Sequence, residues 1–112
     1  MAVKVETFSI AQSGTTSNGL TGGGSSRLRG LLLPTLDSTT IEFEASFDGG
    51  TTYVSIYTNS GTPAAVTLGT ASTGSRVQAV PEEVGRISAV AKVRLKVASQ
   101  TTGARTIKSV WE

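Results

Sequence analysis

Residues 40–58 read TIEFEASFDGGTTYVSIYT, and this stretch decides the fold. Ile41, Phe43, Ala45 and Phe47 occupy alternate positions, with Glu42, Glu44 and Ser46 between them. A period of two puts one set on each face of an extended strand, apolar inward and acidic outward. Asp48-Gly49-Gly50 then supplies a turn, and Thr52 to Thr58 a return strand, so the stretch reads as a β-hairpin.

The same grammar continues on both sides. Upstream, Val3 to Ile10 and Arg27 to Leu33 read as strands, the second ending at Pro34. Downstream, Ala64 to Leu68, Arg76 to Val80, Ser88 to Ala98 and Ala104 to Trp111 follow, separated by Asn59-Ser60-Gly61, Gly69 to Ser75 and Gln100 to Gly103. In the strand from Ser88, the residues Ala89, Ala91, Val93, Leu95 and Val97 face inward, while Lys92, Arg94 and Lys96 face outward. Pro81-Glu82-Glu83-Val84 reads as one helical turn closed by Gly85, because proline suits a first helical position and acids suit a first turn. Ser13 to Ser26, SGTTSNGLTGGGSS, holds six glycines or asparagines and little to bury, and reads as a flexible loop or arm.

Thr, Ser and Gly make up 44 of the 112 residues, and this composition favours many short strands joined by turns. The expectation is one domain over residues 1–112: an all-β, antiparallel β-sandwich of seven or eight strands, with residues 13–26 flexible near the N-terminus. Cysteine and histidine are absent, which excludes a disulfide framework, thiol catalysis, histidine-based triads and the usual zinc sites. A net charge of +2 is too small for a nucleic-acid surface. No apolar run approaches the roughly 20 residues of a membrane helix, and Glu6 interrupts any leader-like start. Synthesis in a cytosol and no membrane partner are therefore expected.

Chemical motifs are sparse. Gly22-Gly23-Gly24 is followed by Ser25, Ser26, Arg27 and a strand, not by the lysine and helix of a phosphate loop. Glu42 and Glu44 lie two residues apart on one strand face, where salt pairing with Arg27, Arg29 or the Lys92/Arg94/Lys96 row suits them better than acid catalysis. Asp48-Gly49-Gly50 lacks the alternating acids of a calcium loop. No catalytic residue, metal or cofactor is expected. The basic row reads as a solvated face, or as an interface to an acidic surface. Tyr53 and Tyr57 share a strand face and Trp111 lies at the far end, where such rings anchor a core, a protein interface or a sugar platform.

Ile41, Phe43, Ser46, Asp48-Gly49-Gly50, Thr52 and Tyr53, then Val80-Pro81-Glu82, Arg94 and Ala104-Arg105-Thr106-Ile107 are the residues that carry a family resemblance. From Thr39 to Trp111 the chain resembles a group of small virion proteins of tailed bacteriophages and prophages. The resemblance implies a jelly-roll-like sandwich and a structural role. The first expectation is a capsid decoration or cement protein on the outer shell, made in the host cytoplasm. Its partner is the major capsid protein, whose neighbouring subunits it staples, and the chain itself pairs as a homo-oligomer, a dimer or trimer. Tail or fibre components of the same group, and a carbohydrate-binding module, remain alternatives. The interface candidates are Arg27, Arg29, Tyr53, Tyr57, Lys92, Arg94, Lys96 and Trp111, with the 13–26 arm.

Overall fold

The computed structural model describes residues 3–37, 40–59, 61–69 and 76–112. The expected loop at 69–75 lies almost wholly outside them, and the turn at 59–61 in part. Among the described residues the chain forms β1 (Lys4–Ile10), β2 (Leu28–Leu33), β3 (Thr40–Ser46), β4 (Val54–Ser55), β5 (Thr67–Gly69), β6 (Arg76–Ala79), α1 (Glu82–Ser88), β7 (Lys92–Lys96) and β8 (Arg105–Trp111). Two antiparallel sheets result. One runs β1-β8-β2-β6; in the other, β3 pairs with β7 along one edge and with β4 and β5 along the other.

The 13–26 segment expected to be mobile completes the second sheet. Ser17 and Leu20 donate backbone bonds to Leu95 and Val93, both at 2.9 Å, and Val97 donates to Thr15 at 2.8 Å. The Ser17 hydroxyl takes the Leu95 amide at 2.8 Å. Further along, Gly22 donates to Ser88 at 2.8 Å. The segment is thus a strap bonded along β7. A low apolar content does not free it, because β7 offers an edge of backbone groups that must be paired. The strap also closes the edge of β1: the Asn18 carboxamide accepts from Ser9 N at 2.7 Å and donates to Thr7 O at 3.2 Å.

Counted with the strap second and β4 with β5 fifth, strand positions run 1-8-3-6 in one sheet and 2-7-4-5 in the other. That interleaving is the order of a jelly roll. Between the sheets lie Phe8, Ile10, Leu31, Leu33, Phe43, Leu95, Ile107 and Trp111, each essentially sealed from solvent. Every such side chain contributes about 1.5–3 kcal/mol relative to exposure.

Two local expectations change. Gly85 does not close the helix but lies inside it, because a β-carbon there would come within 3.0 Å of the Leu28 carbonyl, so glycine lets α1 lie against β2. Ser88 and Ala89 belong to the helix end rather than to a long strand. The buried Ser88 hydroxyl donates to Gly85 O at 2.7 Å and accepts the Leu28 amide at 2.8 Å. The strand proper begins at Lys92.

Candidate interaction surface

Alternation gives each sheet an outer face, and the two differ. On the β3–β7 sheet the outward positions carry Glu42, Glu44, Ser46, Lys92, Arg94 and Lys96, as the sequence implies. They are not a solvated row. Glu44 and Arg94 are direct cross-strand partners, and Arg94 Nε meets Glu44 Oε1 at 2.7 Å. Lys96 Nζ stands 4.0 Å from the other Glu44 oxygen, and the Glu44 side chain is only 10% exposed. Tyr53, leading into β4, lays its ring over the Arg94 guanidinium at 3.9 Å. Its hydroxyl reaches the strap at Gly19, where a β-carbon would fall 2.0 Å away. Lys92 packs alongside, with its stem near Gly50. The expected interface members Tyr53 and Arg94 are therefore committed within the sheet, and the outward-facing Glu44 is buried because Tyr53 and Arg94 cover it.

Trp111 takes the core role among its expected readings and not the interface one. It faces the core, fully buried, and its indole N–H donates to Ser109 Oγ at 2.8 Å, which in turn donates to Glu6 O at 2.9 Å. The Lys4 ammonium caps the ring at 5.5 Å. A residue enclosed this way anchors the closing strand and cannot touch a partner. Tyr57 keeps an exposed ring, at 57% of its surface. Phe47, expected in the core, lies past the end of β3 and is 80% exposed. With Val54 it lines a shallow apolar cleft at the hairpin end.

Arg27 and Arg29 are exposed and share one carboxylate. Both place Nη1 3.8 Å from Glu82, and Arg86, which no sequence motif marks, joins at 3.7 Å. Exposed pairs at such distances contribute at most about 1 kcal/mol each. The first two arginines line an open cleft of about 550 Å³ with Gly24, Ser25, Ser26, Ala89 and Glu112.

Two acids are fully committed to loop geometry. Asp37 accepts from the backbone N–H and hydroxyl of Thr102 and from both groups of Thr101, at 2.7–3.0 Å. The Thr102 bonds lead in lowering its pKa to about 2, against the opposing effect of desolvation. Asp48 accepts from the Ser46 hydroxyl at 2.7 Å and from the Thr52 and Thr51 amides, which likewise lower its pKa to about 2.

The β1-β8-β2-β6 sheet has the opposite outer face. Its register aligns Val5 with Val110, Val110 with Gly30, and Gly30 with Ala79; the next row runs Thr7, Lys108, Leu32, Val77. Lys108 is the sole charge in these two rows. Val5 is 58% exposed and Val77 77%, with Val3 at 57% and Leu32 at 40%, while Val110 is half-buried. A bulge at Arg29 shifts β2 so that Leu28 and Leu31 both point inward, leaving Leu32 outward. None of these residues stands out in sequence, because each is a lone outward valine or leucine; strand order alone gathers them. Comparison with protein-family models, curated proteins and solved structures finds no match, so these surfaces are what the chain itself offers as evidence of its role.

Proposed function

We propose that the chain is a structural virion protein of a tailed phage, a capsid decoration protein that binds the outer shell and staples neighbouring major capsid subunits. The observation that carries this reading is the aliphatic outer face of the β1-β8-β2-β6 sheet. Apolar surface gathered on a small protein favours docking on another protein. A stable contact buries about 800 Å² per partner, and a four-stranded face with its flanking loops is of the right scale for one such contact. The jelly roll adds support by analogy of fold, since it recurs in capsid and lectin domains. The resemblance from Thr39 to Trp111 points the same way. A sugar platform draws less support, because Tyr53 and Trp111 are occupied within the fold.

The test is sedimentation of the purified protein with expanded, empty heads that lack it, counting bound copies per head. Saturable binding at a stoichiometry fixed by capsid symmetry, with a raised melting temperature of the heads, supports the reading. Val5→Lys should reduce occupancy while the protein stays folded. No co-sedimentation would overturn the reading in favour of a tail or fibre component.

A further inference from the structure

The molecule treats its sheet edges unequally. Asn18 bonds the edge of β1 at Thr7 and Ser9. The strap pairs the edge of β7. β4 and β5, of two and three residues, are too short to template another strand. β6 is different: four regular residues, Arg76-Val77-Gln78-Ala79, paired with β2 on one side and with no strand on the other among the described residues. It has no proline and no bulge, and its one charge, Arg76, is turned aside to the Gly69 carbonyl.

The direction of its backbone follows from one bond. Val80 donates to Arg29 O at 3.0 Å, so alternation turns Gln78 toward β2 and leaves the N–H and C=O of Val77 and Ala79 facing outward. Those four groups are complementary to themselves. In an antiparallel pair about a two-fold axis at Gln78, Val77 stands opposite Ala79 of the second copy. Each pair then exchanges two hydrogen bonds, as in an ordinary ladder. Val77 and Ala79 also share the outer face with Leu32 and Gly30, so pairing packs Val77 against the second copy's alanine at that position. Arg76 falls opposite Val80, and no like charges meet.

We propose that the outward edge of β6 is a self-association site, joining two copies of this chain through a Val77/Ala79 ladder into one eight-stranded sheet with a continuous apolar face. Isologous pairing of this kind is the commonest closed symmetry. The dimer does not depend on the virion reading. If both hold, the docking face doubles in width, and two modest contacts act together.

Sedimentation equilibrium of the whole chain, from micromolar to millimolar concentration, tests the proposal. A monomer–dimer equilibrium is expected. Val77→Pro deletes an amide that points away from β2, so the fold and melting temperature should persist. Loss of two bonds per dimer should weaken pairing by about tenfold or more. Should that variant fold poorly, Val77→Lys places two charges at the ladder and should have the same effect. Val5→Lys, three strands away on the same face, should leave dimerisation unchanged. A monomer throughout the range, or a dimer indifferent to both Val77 variants, would overturn the edge site. Dimerisation abolished by Val5→Lys instead would overturn it in favour of face-to-face association.

Discussion

The two outer faces of this sandwich are built from the same alternation and reach opposite ends. On the β3–β7 sheet the outward residues are charged, and they satisfy one another: Glu44 holds Arg94, and Tyr53 covers Arg94. On the β1-β8-β2-β6 sheet the outward residues are mostly apolar, with Lys108 the one charge in the two central rows, and Val5, Leu32 and Val77 are left exposed among the described residues. Charge on a strand face is thus a poor marker of an interface, since ions attract partners from their own sheet. An aliphatic outer face has no such internal outlet, and its free energy is recovered only by another surface.

Breaking the polar face should cost stability. The largest loss is expected for Glu44→Ala, which leaves Arg94 half-buried without its carboxylate. A fully buried pair would lose 3–5 kcal/mol, and this partly exposed one should lose about 2 kcal/mol in urea denaturation. Gly19→Val follows, since the Tyr53 hydroxyl occupies the space a β-carbon needs. The strap or the ring must shift, at about 1–2 kcal/mol, typical of overpacking. If Gly19→Val is silent, the strap is not held against Tyr53, and the cover over Arg94 is loose.

A smaller effect is expected from acid. Asp37 and Asp48 both have carboxyls lowered from 3.8 to about 2 by hydrogen bonds made in the folded state. A depressed folded pKa gives stability that is complete above the unfolded value and lost as pH falls toward 2. Melting temperature should therefore decline from about pH 4 downward. Asp37→Asn should flatten that decline, because only the charged carboxylate accepts all four threonine bonds. The smallest stability effect belongs to the bare face. Val5→Lys should change unfolding free energy by less than about 0.5 kcal/mol, yet weaken docking to a partner. A large destabilisation there would mean that the face is packed within the chain, and the contrast between faces would fail.

Much of the fold was legible because β1, β3 and β8 announce themselves by alternation and β2 by an apolar run ending at Pro34, and all four fall within a residue or so of where the pattern puts them. The strap was not legible. Its strand pairing uses Ser17 and Leu20 within a glycine-rich run, so no apolar period marks it. The helix end carried a signal that alternation masked: Val84, Ile87, Ser88 and Ala91 recur at helical spacing, and they pack inward. The surface residues divide by the same logic. Period two puts Glu44 on the outward face of β3, but it cannot say that Tyr53 and Arg94 close over it. Nor can it bring Val5, Val110, Leu32 and Val77 together, since that takes the β1-β8-β2-β6 order, which joins residues more than a hundred positions apart.

That order also sets a timetable. β8 lies in the middle of its sheet, between β1 and β2, and Lys4 finds Trp111 as its partner. Until residues 105–111 have left the ribosome, neither earlier strand has its central neighbour, and the core lacks its largest side chain. Contacts this distant in sequence must close long loops before they return any stabilisation, which places such topologies toward the slow end of single-domain folding. The domain therefore completes itself only once β8 has emerged, and until then the aliphatic segments of β1 and β2 lack their central partner.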